Sequence, residues 1–152
     1  MLTDGLDHVA TITNDADRLI AFYREVFEAT VEHDGPEFPG GPRMVVLNIG
    51  PATELNVFQI DGNSQADHQE PMFGRGRLDH IGLHAGSLES FDEIRSRLMN
   101  AGASDGTVTN FGRKISIFFR DPDEMACEVL FHNPDPETQT ADLMGKPHPR
   151  WA

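Results

Sequence analysis

The tripeptide Leu-Asp-His occurs twice in this chain, in "LDHVAT" from Leu6 and in "LDHIGL" from Leu78, and it places His8 and His80 72 residues apart. Each copy opens a short apolar stretch that is typical of a strand, and an amphipathic helix pattern follows each copy. A spacing that holds beyond one tripeptide indicates an internal duplication. A duplication restricts the fold to two copies of one structural unit.

The two helix patterns keep the same spacing. The first, "NDADRLIAFYREVF", begins at the N-cap candidates Asn14 or Asp15; the second, "GSLESFDEIRSRLMNAG", begins at Ser87 and stops at Gly102. Their apolar positions match one to one and predict the buried faces of two helices. These positions are Leu19, Phe22, Val26 and Phe27 in the first copy, and Phe91, Ile94, Leu98 and Met99 in the second.

Each helix is followed by a predicted hairpin. The stretch Met44–Ile60 is broken by Gly50-Pro51, and Ser116–His132 is broken by Asp121-Pro122-Asp123, which suits a type I turn. We therefore predict an α+β fold with module one at about 5–60, a linker at 61–77, module two at about 78–132 and a C-terminal arm at 133–152. Neither module could bury its sheet alone, so we expect pseudo-two-fold pairing within one domain, 1–152.

Composition narrows the classes of partner. The chain has 12 Lys and Arg against 25 Asp and Glu, a formal net charge of −13. Such a surface repels phosphate backbones and anionic lipids, which argues against nucleic acid and membrane partners. No signal-peptide or membrane-spanning pattern is present, so we expect a cytoplasmic protein. Cys127, the sole cysteine, lies in an apolar run and is predicted to be a buried structural residue.

The duplication also points to a site. Pseudo-two-fold pairing would bring together His8 and His80, each on the first strand of its module. Glu128 is the one carboxylate in the apolar run "ACEVLF", where burial is costly unless the group is paired or binds a metal. Strand alternation sets Glu128 and Leu130 on one face, opposite the helix-facing side chains. We predict a metal site formed by His8, His80 and Glu128.

These features resemble the vicinal oxygen chelate superfamily, which includes glyoxalase I, methylmalonyl-CoA epimerase, extradiol dioxygenases, fosfomycin-modifying enzymes and bleomycin-binding proteins. The resemblance rests on β-α-β-β-β occurring twice, on the two "LDH" strand openings and on "DPDEMACEVL". It covers about Leu6 to His132. It implies two βαβββ modules forming a cupped, barrel-like mixed sheet with the helices outside, and it implies the metal ligands His8, His80 and Glu128.

The fourth ligand position of the family falls on Asn56 in "ELNVF". Glyoxalase-type members have Glu there and the epimerases have Gln, whereas Asn is a weak neutral ligand that cannot act as a general base. Glu54, two residues earlier on the same predicted face, is an alternative base. His84, four residues after His80, is either an acid or base beside the metal or a side chain lining the mouth of the barrel. The sequence differs from the family's usual pattern at a second place, the turn before the last strand, where Glu124-Met125 stands instead of Gly-Asn.

We therefore predict a divalent-metal-dependent enzyme with a small-molecule substrate that chelates through neighbouring oxygens. With Fe(II), the ligand set resembles that of ring-cleaving dioxygenases, which Asn56 slightly favours. With Ni, Co, Zn or Mn, it resembles the lyase and isomerase branch, which would need Glu54 or His84 as base. A metal-free protein that binds an antibiotic or aromatic ligand is a further alternative. A homodimer is the expected assembly by resemblance.

Overall fold

The computed structural model of the protein describes residue 2, residues 5–65, residues 70 and 74, and residues 78–132. The chain falls into two compact units, Met1–His68 and Gln69–Ala152. Most of the predicted linker 61–77 and all of the predicted arm 133–152 lie outside the described residues. No helix in the described part of the chain has the length and apolar character needed to cross a membrane.

The first unit is one helix and a four-stranded mixed sheet. Its elements are β1 (His8–Thr13), α1 (Ala16–Phe27), β2 (Thr30–Pro36), β3 (Arg43–Gly50) and β4 (Thr53–Gln59). The strand order is β1-β4-β3-β2, with β1 parallel to β4 and the other pairs antiparallel. The Asp15 carboxylate accepts from the backbone N–H of Arg18 at 3.1 Å and caps α1, which satisfies one of the free donors of the first turn.

The second unit repeats this arrangement. Its elements are β5 (Ile81–His84), α2 (Leu88–Asn100), β6 (Val108–Asn110), β7 (Lys114–Arg120) and β8 (Ala126–His132). The strand order is β5-β8-β7-β6, and β5 is parallel to β8. Ser87 caps α2 by accepting from the backbone N–H of Ser90 at 3.0 Å. The predicted α+β class with two βαβββ modules is confirmed, whereas the pseudo-two-fold pairing stays a prediction.

The strand register of the two units is identical at the spacing that the repeat predicts. In the first unit Ala10 pairs with Asn56, and in the second Gly82 pairs with Glu128. The antiparallel ladders agree in the same way, since Val46 also pairs with Asn56 and Phe118 also pairs with Glu128. A slip of one residue would turn every side chain of a strand to the opposite face, so the shared register fixes equivalent faces in both sheets.

One face of each sheet is covered by its helix. In the first unit Leu19 and Tyr23 of α1 pack with Val45 and Leu55 in a fully buried core. The helix face predicted for α1 is confirmed at Leu19 and Val26, while Phe22 and Phe27 are only partly buried at its edge. Tyr23 is thus a packing residue.

In the second unit the buried residues of α2 are Phe91 and Leu98, and the helix packs on β8, where Cys127 and Val129 are fully buried. Cys127 therefore has the predicted structural place. Met99, predicted to lie on the buried face, is 45% exposed. Leu98 occupies the inward position at the end of the helix, and the neighbouring residue is rotated toward solvent by the helical turn of about 100° per residue.

A tight turn connects β7 to β8. The Glu124 backbone N–H donates to the Asp121 carbonyl at 2.9 Å, closing the turn that the Asp-Pro-Asp sequence predicts. The Asp121 carboxylate accepts from the backbone N–H groups of Asp123 and Met125, each at 2.9 Å. Glu124 has a left-handed φ of 65°, a conformation that glycine adopts most easily.

Arg43 on β3 forms ion pairs with side chains of two other elements of the first unit, α1 and β2. Arg43 donates to Asp34 at 2.7 and 2.8 Å and to Asp17, in the first turn of α1, at 2.7 Å. The hydrogen bond from Arg43 holds the pKa of Asp34 below its ordinary value. Arg43 is therefore committed to structural contacts.

The difference between Leu98 and Met99 gives a matched test of the second core. We expect Leu98→Ala to lower the free energy of unfolding by about 2–5 kcal/mol, because it leaves a cavity between α2 and the sheet. Met99→Ala should cost under about 1 kcal/mol, since that side chain is largely in solvent. Urea unfolding monitored by circular dichroism measures both; equal losses would contradict the orientation of α2.

Candidate metal centre

The Asp-His pair of the second unit is a hydrogen-bonded unit. The Nδ1 atom of His80 lies 2.7 Å from the carboxylate of Asp79, and both side chains are partly buried. A carboxylate at this distance keeps the proton on Nδ1, so the lone pair of the neutral ring is on Nε2. Histidines that bind metals commonly have such a carboxylate behind them, which fixes the ring and raises its basicity. His80 is thus oriented to bind through Nε2.

Glu128 reaches the same place from the neighbouring strand. Its Oε2 atom accepts from the hydroxyl of Ser116, a fully buried residue, at 2.7 Å. Its Oε1 atom lies 3.5 Å from Nε2 of His80, which is longer than an ordinary N–H···O hydrogen bond. The Phe118 ring contacts the His80 ring edge to face, with centroids 6.1 Å apart. One oxygen of Glu128 is therefore anchored, and the other lies beside a basic nitrogen.

The spacing of His80 Nε2 and Glu128 Oε1 fits two ligands of one ion. Atoms bound at about 2.1 Å to a single metal lie about 3.0 Å apart in octahedral and about 3.4 Å apart in tetrahedral geometry. The observed separation of 3.5 Å is close to this range. An imidazole and a carboxylate also form a donor set that first-row divalent ions accept. The residues present therefore fit a divalent metal.

Gly82 makes room for this arrangement. It lies on β5 directly opposite Glu128, and a Cβ atom there would stand 3.3 Å from Oε1 and 3.4 Å from Cγ of Glu128. The same Cβ would stand only 2.8 Å from a methyl group of Leu130. Since real Cβ atoms do not approach so closely, any larger residue would displace the side chains of β8 that lie over this strand.

The first unit contains an equivalent but altered arrangement. The Nδ1 atom of His8 lies 2.8 Å from the carboxylate of Asp7, as in the second unit, although both side chains are more exposed. The register sets His8 beside Glu54 and Ala10 beside Asn56, so these residues share one face of the sheet. Asn56 is 8% exposed, and within the described residues no donor reaches its Oδ1 atom. A buried acceptor without a protein partner is costly unless a bound ligand or water satisfies it.

The predicted site residues thus fall into two sets. The structure brings His80 and Glu128 together in the second unit and sets His8, Glu54 and Asn56 on one face of the first. In the residues that the structure describes, no group of three or more His, Cys, Asp or Glu side chains is arranged to hold a metal ion. The assignment of His8, His80 and Glu128 to one ion stays a prediction.

His84 has a contact that the sequence did not predict. It is exposed at the end of β5, and its ring packs edge to face on the ring of His132, with centroids 4.8 Å apart. Strand alternation would have revealed His132, because it lies on the face of β8 that carries Glu128. Ser116 gave a weaker signal, as one hydroxyl within the apolar run "ISIFF".

Comparisons with known proteins agree with the fold. The family model described as "Glyoxalase/Bleomycin resistance protein/Dioxygenase superfamily" matches residues 5–129. No curated protein matches the sequence. Among solved structures, a glyoxylase/bleomycin resistance protein/dioxygenase domain from Frankia sp. EAN1pec is similar, with a TM-score of 0.71, 21% identity, and coverage of 91% of this chain and 96% of that one.

Two further structures are similar at the level of fold. The fosfomycin resistance protein FosX from Listeria monocytogenes, complexed with Mn(II) and sulfate ion, has a TM-score of 0.63 and 20% identity, with 91% of this chain and 100% of that chain covered. A glyoxalase family protein from Enterococcus faecalis has a TM-score of 0.65 and 21% identity, with 86% and 99% covered. At these identities the similarity shows the fold alone.

The space above Gly82 can be tested with a matched pair of variants. We expect Gly82→Ala to push the Glu128 carboxylate from its place and to lower the affinity for Mn(II) by roughly tenfold, because a misplaced supporting group typically costs that much or more. Gly86→Ala is the control, since a Cβ there meets no atom within 4 Å. Calorimetric titration measures both, with circular dichroism as the check on folding. Equal Mn(II) affinities in folded variants would contradict the role of Gly82.

Proposed function

Since this chain belongs to the Glyoxalase/Bleomycin resistance protein/Dioxygenase superfamily, we propose that it is a divalent-metal-dependent enzyme acting on a small organic substrate with two neighbouring oxygens. The observation that carries the proposal is the spacing of 3.5 Å between Nε2 of His80 and Oε1 of Glu128. Asp79 contacts Nδ1 of His80, and the Ser116 hydroxyl donates to Oε2 of Glu128, so that both side chains are held in place. The FosX structure with Mn(II), which has the same fold, also supports dependence on a metal.

His8 is the proposed third ligand. It occupies the position in the first unit that corresponds to His80, and Asp7 contacts its Nδ1 atom as Asp79 contacts that of His80. The same carboxylate orienting the same ring nitrogen in both copies is the support for equal roles. The equivalence of position in the repeat carries this assignment.

The protein's side chains would prepare the site for an anionic substrate. A bound divalent ion would supply Lewis-acid stabilisation of negative charge that develops on the substrate oxygens. Asp79 keeps the proton of His80 on Nδ1, and Ser116 holds one oxygen of Glu128, so neither ligand must reorganise when substrate enters. Asn56 offers a neutral acceptor at the fourth position and cannot take a proton from the substrate.

The neutral fourth position favours oxygenase chemistry. Two histidines and one carboxylate with open positions are the ligand set of non-haem Fe(II) oxygenases. We therefore favour a dioxygenase-type reaction on a catechol-like substrate, with His84 as the proposed proton donor or acceptor. The acid–base range of imidazole suits this role near neutral pH.

A lyase or isomerase reaction is the second candidate, and a specific observation favours it. Glu54 pairs directly with His8 across the parallel strands β1 and β4, on the face that also carries Asn56. A carboxylate there can serve as the general base that Asn56 cannot provide. In this reading Glu54 moves a proton between neighbouring carbons of an α-hydroxy carbonyl substrate, and the metal is Ni, Co, Zn or Mn.

Metal dependence is tested on protein purified without added metal or chelator. We expect one divalent ion per chain and Mn(II) rebinding after stripping. Asp79→Asn should weaken Mn(II) binding by about 10–100-fold, as loss of a carboxylate behind a ligand does, and Glu128→Gln by at least as much. Glu89→Gln, an exposed carboxylate on α2, is the control. Unchanged binding in Glu128→Gln, or no bound and no bindable metal, would contradict the proposal and favour a metal-free binding protein.

The type of reaction is tested with two panels of compounds. The oxygenase predicts iron in the purified protein and oxygen uptake on addition of catechols, with His84→Gln slowing turnover by roughly 10²–10⁴-fold if it transfers the proton. The isomerase predicts exchange of solvent deuterium into α-hydroxy carbonyl compounds without oxygen uptake, and loss of that exchange in Glu54→Gln. Deuterium exchange that survives Glu54→Gln would remove Glu54 as the base.

A further inference from the structure

Two histidines of the second unit lie side by side outside the metal centre described above. His84 ends β5 and pairs with Leu130, and His132 lies two residues further along β8, so both side chains project from the same face of the sheet. Their ring centroids are 4.8 Å apart and the ring planes are inclined by 75°. A backbone hydrogen bond of 2.8 Å from Ala85 to Leu130 holds the two strands together at this end.

The distance between the rings fits two imidazoles on one ion. With a metal–nitrogen bond of about 2.1 Å, the ring centroid lies about 3.3 Å from the ion. Two rings bound to one ion then have centroids about 4.7 Å apart at a right angle and about 5.4 Å apart at the tetrahedral angle. The observed 4.8 Å falls between these values. The spacing of the two rings is therefore compatible with a shared ion.

Both rings are exposed to solvent and could bind an added ion. Both side chains are exposed, and apart from their mutual contact neither ring has a hydrogen bond or an ion pair in the part of the chain that the structure describes. His80 differs, because Asp79 occupies its Nδ1 atom. Lys114, exposed on β7, is the residue paired with His132.

The donor types determine which ions this pair would accept. Two neutral imidazoles suit Ni(II), Cu(II) and Zn(II), whereas Mn(II) and Mg(II) prefer oxygen ligands. Among the described residues no carboxylate is paired with either ring. The positive charge of Lys114 nearby further disfavours hard ions, which depend on charge attraction. We propose that His84 and His132 form a second metal site, a two-imidazole site for Ni(II), Cu(II) or Zn(II) whose remaining positions are filled by water.

This site does not use His80 or Glu128, and it would bridge the ends of β5 and β8. Because a metal-bound His84 cannot transfer a proton, occupancy of this site would compete with the role proposed for His84 in the oxygenase reaction. An ion bound only when both strands are in place stabilises the folded unit by mass action. It also means that metal analysis of the chain in Ni(II) or Zn(II) would count more ions than analysis in Mn(II).

The test uses a variant in which the proposed ligands His80 and Glu128 are replaced, so that an ion cannot bind there. In the full chain carrying His80→Gln and Glu128→Gln, we expect Ni(II) titration by calorimetry to give one ion per chain. Adding His84→Gln or His132→Gln should lower the affinity at least about tenfold, because the second imidazole binds at a high effective concentration. Adding His33→Gln, an exposed histidine of β2, is the control and should change nothing.

A second measurement uses the unaltered chain, so it does not depend on the folding of the variants. In ¹⁵N spectra of the histidine rings, Zn(II) should shift the resonances of His84 and His132 together, with one midpoint. Ni(II) affinity that is the same with and without His84 and His132, or Zn(II) shifts of the two rings with separate midpoints, would overturn the two-imidazole site.

Discussion

The parallel pairing of the first and last strands in each unit is the constraint on which the site depends. In sequence, β5 and β8 are separated by a helix and two strands, yet their ladder places Gly82 opposite Glu128 with no freedom of register. Because side chains alternate along a strand, this single pairing decides that Glu128 stands on the same face as His80, the residue just before β5. The same pairing of β1 with β4 sets His8 beside Glu54.

The two copies share this backbone but differ in the side chains that the backbone presents. The second unit combines a carboxylate at Glu128, a glycine that leaves room for it, and the Ser116 hydroxyl that holds it. The corresponding residues of the first unit are an amide, an alanine and a methionine, namely Asn56, Ala10 and Met44. The first copy lacks the acid, the space and the hydroxyl donor together, and the Oδ1 atom of Asn56 has no partner among the described residues. Of the two equivalent positions, that of the second unit carries the carboxylate.

Much of the fold follows from the sequence because hydrophobic periodicity and the repeat report on the backbone. The helices and the equivalence of positions in the two copies were predictable from spacing, and the two hairpins and the Asp121 turn were predictable from the residues at their breaks. The face of β8 that carries Glu128 followed from strand alternation. The family's usual glycine at the turn was also informative, because Glu124 adopts the left-handed conformation that glycine favours. Met99 was misassigned, since a helical pattern cannot decide which of two adjacent apolar residues at a helix end turns inward.

The supporting contacts of the site were harder to predict, because they depend on side-chain rotamers and not on spacing. The sequence showed that an aspartate precedes each histidine, but not that it contacts Nδ1. Ser116 has its role only through Glu128 on the neighbouring strand β8, and His132 only through His84 on the neighbouring strand β5. Anomalous diffraction from crystals of the Mn(II)-loaded protein tests whether His80 and Glu128 bind one divalent ion. We expect a peak about 2.1–2.2 Å from both His80 Nε2 and Glu128 Oε1; a peak that contacts neither atom would exclude this pair as ligands.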